Sequence, residues 1–154
     1  MGLQISTKEM DAGTQMVDLK GGGMKTFHIF GQDSSMMLAT RSAGYHSRPH
    51  IHRAEQLNYC VEGEMYIFVE GKPFHLRKGD FLRIPSMAVH WAWNRSDGDC
   101  TIVQSFAPGH QINRPGSVGL FEDEEQPATE ARSRNYMVSD EYMTEPEKKA
   151  FPNG

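Results

Sequence analysis

The stretch from residue 44 to residue 63, GYHSRPHIHRAEQLNYCVEG, contains two histidines separated by one residue, His50 and His52. Side chains two residues apart on a β-strand point to the same face, about 7 Å apart along the chain, so both imidazoles can reach one ion. Gln56 follows four residues after His52 and shares its parity along an extended chain. Because an H-x-H pair is also common on ordinary protein surfaces, the rest of the chain must distinguish a metal site from a surface pair.

The surrounding region, residues 26–108, is predicted to be all-β. Turn residues, such as Glu62-Gly63-Glu64 and Lys78-Gly79-Asp80, separate short runs in which polar and apolar residues alternate. Many short strands at intervals of about 8–12 residues are typical of a β-sandwich or β-barrel, and no helical periodicity interrupts them. The predicted strands are Thr26–Phe30, Met36–Arg41, Gln56–Val61, Met65–Val69, Phe74–Leu76, Phe81–Ile84, His90–Trp93 and Thr101–Phe106.

Residues 26–109 are expected to form a single barrel domain, which suits a chain of 154 residues. Residues 1–25 are expected to form an N-terminal arm and residues 110–154 a C-terminal tail. The tail carries nine acidic and five basic side chains, so it accounts for the whole net charge of −4. Its composition predicts a largely irregular segment with one short helix within residues 140–149. Two alternatives remain open: the tail is solvated and partly disordered, or it is draped over the barrel as a lid or a dimer arm.

The alternation within one predicted strand also indicates a covered outer face. If His90 points into the barrel, Trp91 and Trp93 point out of it, because successive side chains of a strand alternate. Two large aromatic side chains are rarely left in water, so this face should be covered by another sheet, by the tail or by a second subunit. A second subunit here would make the protein a homodimer, which is the assembly that the sequence predicts.

A second stretch, residues 79–94, reads GDFLRIPSMAVHWAWN and contains a third candidate ligand, His90. Together the two stretches resemble the two motifs that describe the cupin superfamily, G-x5-H-x-H-x3,4-E-x6-G and G-x5-P-x-G-x2-H-x3-N. The matching positions are Gly44, His50, His52 and Gly63 in the first motif and Gly79, Pro85, His90 and Asn94 in the second, with 15 residues between the two blocks. The sequence departs from the motifs at Gln56, where they have glutamate, and at Met87, where they have glycine.

The resemblance implies a jelly-roll β-barrel in which His50, His52, Gln56 and His90 bind one divalent transition metal ion. Glu55 stands beside Gln56, but its spacing and its strand parity differ from those of the motif. Imidazole binds iron, manganese, zinc and nickel alike, so the sequence does not identify the metal. The alternative is a cupin whose metal site is empty or degenerate.

Three neutral imidazoles and a neutral amide would leave the charge of a divalent ion uncompensated. Such an ion is a strong Lewis acid and attracts an anionic or bidentate oxygen ligand. With the resemblance, this indicates a metal-dependent enzyme that acts on a small oxygenated organic substrate, and a dioxygenase-type oxidoreductase is the first hypothesis. A metal-assisted lyase, isomerase or cyclase is the second hypothesis. A non-catalytic small-molecule-binding cupin is the alternative from another class.

Three further side chains are candidates for the substrate pocket. Arg48 could contact a substrate anion, and the alternative is an exposed arginine in a loop. Asn58 and Cys60 share the strand face of Gln56, so both could lie in the cavity beyond it. For Cys60 the alternative is a small buried side chain without a direct role.

Composition argues against several other classes of protein. The net charge of −4 disfavours a nucleic-acid-binding protein, since phosphate binding requires a positive surface. No apolar run approaches the ~20 residues that span a bilayer, and the polar N-terminal segment has no signal-peptide core, so a cytoplasmic location is expected. Cys60 and Cys100 are expected to be free thiols rather than a disulfide framework.

Overall fold

The computed structural model describes residues 2–16, 22–110 and 117–154, which form two β-sheets and one short α-helix. The strands are β1 (Gly13–Met16), β2 (Gly23–Phe30), β3 (Ser35–Arg41), β4 (His50–Ile51), β5 (Glu55–Glu62), β6 (Glu64–Val69), β7 (Lys72–Arg77), β8 (Phe81–Ile84), β9 (His90–Trp93), β10 (Cys100–Ala107), β11 (Ser117–Gly119) and β12 (Tyr136–Met137). The helix α1 covers Thr144–Ala150, and 3-10 helices cover Thr7–Glu9, Thr129–Ala131 and Asp140–Met143.

Two facing sheets form the predicted barrel. The larger sheet has seven strands in the order β1-β2-β3-β10-β5-β8, with β11 also paired to β2. The smaller sheet has five strands in the order β12-β4-β9-β6-β7. The strand pairs are antiparallel except for β11 with β2. Some neighbouring strands, such as β4 and β9, come from distant parts of the chain, so the barrel brings the two quoted sequence stretches together.

All eight strands predicted from the sequence are confirmed, with ends that differ by at most three residues. The prediction omitted β1, β4, β11 and β12, each of which has only two to four residues. A run of that length has no readable alternation, and its pairing depends on the strand beside it. The strands that the prediction omitted lie at the edges of the sheets or, in the case of β4, next to the histidines.

The core lies between the two sheets. Met65 and Ile67 on β6 face Ile84 on β8 and Ile102 on β10, and all four side chains are buried. Met65 and Ile67 are two residues apart on β6, so both side chains point to the face that lies between the sheets. The burial of this apolar surface is the main favourable contribution to folding.

The C-terminal tail covers the outer face of β9. Trp91 is fully buried and stacks on Phe68, with the ring centroids 4.7 Å apart. Met143 and Phe151 of the tail pack into the same cluster. The expectation of a covered tryptophan face is therefore met by the tail, and this face no longer supports the predicted homodimer.

The described part of the tail, residues 117–154, packs against the barrel through a few buried side chains, Phe121, Ser133 and Met143, while most of its other residues are exposed. β11 pairs with β2 and β12 with β4, and the predicted helix is confirmed as the 3-10 helix Asp140–Met143 followed by α1. At the other end, the expected N-terminal arm contributes β1 and the first residues of β2. The boundary expected after residue 25 thus falls inside a strand of the larger sheet.

One carboxylate joins the tail helix to the barrel. Glu147 on α1 accepts hydrogen bonds from His46 Nε2 at 2.5 Å and from Trp91 Nε1 at 3.0 Å. The His46 ring is buried and stacks on Trp93, with the centroids 4.3 Å apart. Hydrogen bonds to a charged acceptor are stronger than neutral ones, and a buried donor that loses its acceptor is costly.

Two expectations from composition can be compared with the fold. Cys60 and Cys100 are buried free thiols whose Sγ atoms lie 3.8 Å apart, and burial raises the pKa of Cys100 to about 12. No helix within the described residues is both long and apolar enough to cross a membrane. The cytoplasmic location stays a prediction.

Glu147→Ala should destabilise the protein by about 1–3 kcal/mol, because it leaves the buried donors of His46 and Trp91 without an acceptor. Glu145→Ala is the matched control, since Glu145 is an exposed residue of the same helix. This control should change the free energy of unfolding by less than about 0.5 kcal/mol. Urea unfolding of both variants measures the difference, and equal losses would show that the contact of Glu147 does not hold the tail.

Candidate metal centre

Three histidines meet inside the barrel. His50 on β4 lies directly opposite His90 on β9, and His52 follows β4 by one residue. The ring centroids of His50 and His90 are 4.2 Å apart, and those of His52 and His90 are 4.6 Å apart. One nitrogen of each of the three rings lies within 4.8 Å of the others. These residues could therefore hold one metal ion, as the sequence predicted.

Each of these rings is oriented by a hydrogen bond to a nearby backbone carbonyl. The Nδ1 atoms of His50, His52 and His90 lie 2.8–2.9 Å from the carbonyl oxygens of Arg48, Ala54 and Ala88, respectively. A carbonyl only accepts, so each Nδ1 carries the proton and each Nε2 is an unprotonated acceptor. This is the tautomer in which metal-binding histidines are usually held.

A chain of amides fixes the orientation of Gln56. Asn58 Nδ2 donates to the carbonyl oxygen of Leu82 at 3.1 Å, which turns Asn58 Oδ1 toward the interior. This oxygen accepts from Gln56 Nε2 at 2.8 Å and from Gln104 Nε2 at 2.9 Å. Gln56 Oε1 is therefore left to face His52. A glutamate at this position would bring a carboxylate oxygen, rather than an N–H donor, to Asn58 Oδ1, which gives a structural reason for glutamine here.

The acceptor atoms of the site fit a cation. Gln56 Oε1 lies 3.1 Å from His52 Nε2, and neither atom carries a proton in the arrangement just described. His90 Nε2 is buried and has no hydrogen-bond partner among the described residues. Acceptors that face one another inside a protein are unfavourable unless a positive charge lies between them. Three imidazole nitrogens and one amide oxygen form a donor set that suits a divalent transition metal ion.

Burial keeps the histidines neutral. Desolvation lowers the pKa of His50 to about 4, and it holds the pKa of His90 well below its ordinary value. Desolvation also lowers the pKa of His52. A neutral imidazole is the form that binds metal, so the site is ready for an ion at neutral pH.

A cavity of about 160 Å³ opens beside the histidines. Its lining includes five histidines and two arginines, but no aspartate or glutamate among the described residues. Ligand pockets for larger organic molecules are about 300–1,000 Å³, so this cavity suits a small ligand.

The three pocket candidates predicted from the sequence have different surroundings in the structure. Arg48 lines the cavity, but its guanidinium pairs with Asp140 of the tail at 2.8 Å. Asn58 and Cys60 face the interior as predicted, yet both are buried outside the described lining of the cavity. Asn58 holds Gln56, and the Cys60 thiol contacts Cys100.

His110 and Arg41 are among the cavity residues that the sequence did not indicate. His110 was assigned to the tail, but its ring stacks on Phe106 with the centroids 4.4 Å apart. Its Nε2 donates to Asn135 Oδ1 at 3.1 Å, and desolvation lowers its pKa to about 3. Arg41 was read only as the end of a strand, although its parity with Ala39 placed it on the inner face. Parity alone could have found Arg41, but not His110, which follows the last strand.

The departure from the motif at Met87 keeps the backbone geometry that the motif glycine would adopt. Met87 adopts the left-handed conformation that glycine favours, with φ of 64°, and its N–H donates to the carbonyl oxygen of His52 at 2.9 Å. At Gly63, φ is 77° and an added Cβ would collide with the backbone oxygen of Asp99. The turn before His90 is therefore formed despite Met87. Glu55, which precedes Gln56 in the sequence, points outward and pairs with Arg83 at 2.7 Å, as its strand parity predicted.

Comparisons with known proteins agree with this arrangement. Residues 37–106 match the family model described as a cupin domain. This part of the chain is a cupin domain. The histidine cluster lies at the cupin motif positions, and the two-sheet barrel is the predicted jelly roll. No curated protein sequence matches the chain closely enough to count as a relative.

Solved structures of other cupins resemble the chain in fold. A predicted oxalate decarboxylase from Thermotoga maritima is 15% identical with a TM-score of 0.61, covering 68% of this chain and 98% of that one. KdgF from Halomonas sp. is 23% identical with a TM-score of 0.59, covering 70% and 94%. A sugar phosphate isomerase of the cupin superfamily from Silicibacter pomeroyi is 14% identical with a TM-score of 0.56, covering 68% and 74%. At these identities the likeness concerns the fold alone.

Asn58→Leu should weaken the binding of Zn²⁺ by about 10- to 100-fold, because Gln56 loses the acceptor that orients its amide. Competition with a chromophoric chelator measures the affinity. Cys60→Ala is the matched control on the same face of the same strand, and its Zn²⁺ affinity should equal that of the parent. An Asn58→Leu protein that folds and binds Zn²⁺ as tightly as the parent would exclude this role for the amide chain.

Proposed function

We propose that the protein is a metal-dependent cupin enzyme that acts on a small oxygenated organic molecule, with one divalent transition metal ion bound by His50, His52, Gln56 and His90. The observation that carries this proposal is the meeting of neutral, partly unpartnered acceptor atoms beside a small cavity whose described lining contains no carboxylate. Iron, manganese, zinc and nickel all suit this donor set.

The bound ion would supply Lewis-acid polarisation of a substrate oxygen atom and, for a redox-active metal, oxygen chemistry. The residues of this chain orient the ligand atoms and line the cavity. The backbone carbonyls and Asn58 hold the acceptors in fixed directions. Phe106 and Ile67 form part of the apolar lining of the cavity. Because no acidic ligand neutralises the ion, an oxygen-rich or anionic substrate is favoured.

The reaction type has two candidates. The first is a dioxygenase-type oxidation, which requires positions on the ion for both substrate and dioxygen. The second is a metal-assisted lyase, isomerase or cyclase reaction. Two structural neighbours, a predicted oxalate decarboxylase and a sugar phosphate isomerase, support this second candidate by analogy only. Oxygen consumption with a converted substrate separates the two, because only the first consumes dioxygen.

The competing function is that of a non-catalytic cupin that binds a small molecule. Such a protein would bind its ligand without a chemical change and would not depend on open positions at a metal ion. Product analysis after incubation with a bound ligand distinguishes it from either enzyme.

Elemental analysis of protein purified without a histidine tag tests the metal proposal. We expect about one equivalent of a transition metal in the parent and almost none in a His50→Ala/His52→Ala variant, because two imidazole ligands are removed. His75→Ala is the control, since His75 lies on the outer surface with Glu64 and should not affect metal content. A parent that is free of metal and refuses added metal would exclude the metal-dependent enzyme.

We also propose that the protein is a homodimer, through a face other than the one that the sequence indicated. Leu57 and Tyr59 on β5 and Phe81 on β8 form an exposed apolar patch, in which Phe81 has 80% of its surface exposed. The rings of Tyr59 and Phe81 are 4.7 Å apart, so the patch is contiguous. Exposed apolar patches of this kind often mark an interface, and a second copy of the same chain is its simplest occupant.

Phe81→Glu should convert the dimer to a monomer, because it places a charge in the centre of the apolar patch. Light scattering gives the mass of parent and variant. Phe74→Glu, on the other sheet, is the control and should leave the dimer intact. A monomeric parent at micromolar concentration would exclude this assembly.

A further inference from the structure

Arg41, at the end of β3, is a buried cation that has no anionic partner among the residues that the structure describes. Only 6% of its surface is exposed. Its Nη2 donates to Gln104 Oε1 at 3.0 Å, and the guanidinium lies 5.4 Å from the centre of the Tyr45 ring. Its Nε and Nη1 are buried and have no hydrogen-bond partner among the described residues. In this part of the chain no carboxylate forms an ion pair with it.

Such an arrangement is unfavourable for the free protein. A buried charge that is neither paired nor fully hydrogen-bonded destabilises the folded state. The cost is relieved if a ligand supplies the missing acceptors. The planar guanidinium of arginine matches the two oxygen atoms of a carboxylate particularly well.

The register of the strands shows that Arg41 extends toward the candidate metal centre. Arg41 lies opposite Cys100 on β10, yet its Nη2 bonds to Gln104, four residues further along β10. Gln56 lies opposite Phe106, only two residues beyond Gln104. At about 3.4 Å per residue, the guanidinium and Gln56 are about 7 Å apart along the strand direction. This separation is the length of a small organic acid.

The other arginine of the cavity is a poorer anion site. The Arg48 guanidinium donates to both carboxylate oxygens of Asp140, the shortest contact being 2.8 Å. Its charge is therefore largely compensated, and its side chain is 46% exposed. The sequence pointed to Arg48 for a substrate anion, but burial and the free donors favour Arg41.

We infer that Arg41 binds a carboxylate of the substrate. The substrate is then a small organic acid whose other end, with a hydroxyl or keto oxygen, faces His50, His52 and His90. This inference rests on the proposed function, because the histidine end is where the metal ion is proposed to bind. It adds the substrate class and a residue that determines specificity.

Calorimetric titration of the Zn²⁺-loaded protein tests the inference. The probes are malate, 2-hydroxyglutarate and 2-hydroxyisocaproate, which share an α-hydroxy acid end that can bind a metal ion. 2-Hydroxyisocaproate has an isopropyl group where malate has its second carboxylate, so the pair differs in charge but hardly in shape. 3-Phosphoglycerate is included as a probe with a phosphate at the far end.

We expect malate or 2-hydroxyglutarate to bind the parent about 10- to 100-fold more tightly than 2-hydroxyisocaproate. Hydrogen bonds between charged groups typically increase affinity by about this factor. Arg41→Met should abolish the preference while the affinity for 2-hydroxyisocaproate stays within about twofold. Arg83→Met is the matched control: it removes the same charge from the outer face and should keep the preference.

A thermal measurement gives a readout that does not depend on the metal. Malate should raise the melting temperature of the metal-free parent but not that of Arg41→Met. Without malate, Arg41→Met should melt at the same temperature as the parent or higher, because an unpaired buried charge has been removed. The comparison of the probes on the parent tests the inference even where a variant does not fold.

The inference is overturned if the parent binds the dicarboxylates no more tightly than 2-hydroxyisocaproate, or if Arg41→Met keeps the preference. Tighter binding of 3-phosphoglycerate than of either dicarboxylate would overturn the choice of a carboxylate. These outcomes leave the metal content, and with it the proposed function, unaffected. If the parent refuses Zn²⁺, the proposed function fails, while a malate-dependent thermal shift that requires Arg41 would still support the carboxylate site.

Discussion

Each histidine of the candidate metal centre donates from Nδ1 to a backbone carbonyl two residues away, and the rest of the site depends on these three bonds. They fix the tautomer, so the unprotonated Nε2 atoms point toward one another. Acceptors in that arrangement repel one another unless a positive charge lies between them, so they suit a cation. Because the bonds are local, the ring directions depend on the strand ends themselves and not on remote packing.

The second constraint is the satisfaction of polar groups between the sheets. Asn58 accepts from Gln56 and Gln104, and Gln104 in turn accepts from Arg41. One hydrogen-bonded chain thus joins the candidate ligand Gln56 to the buried cation across three adjacent strands, β5, β10 and β3. Its geometry is cooperative, since each amide fixes the next. Gln56, which departs from the cupin motif, supplies the N–H donor that this series of hydrogen bonds requires.

The tail stabilises the barrel from outside. Glu147, Met143 and Phe151 cover the face of β9 opposite the histidines, so the strand that carries His90 is packed on both sides. Packing on both sides restricts movement of a strand, which keeps the ligand in place. The outer face of the larger sheet has no such cover among the described residues, and Phe81 is exposed there.

The sequence by itself determined the eight main strands, the inward parity of His50, His52, Gln56 and His90, and the outward parity of Glu55 and Trp91. These are properties of period-two alternation and of fixed spacing, and both can be read locally. Only the tertiary structure decided what covers Trp91, that Arg48 is paired with Asp140, and that Arg41 and His110 share the cavity with the histidines. Those outcomes depend on which distant strands become neighbours and on where the tail packs. Distances between segments far apart in the chain are fixed by packing and by burial of charge, which no local pattern contains.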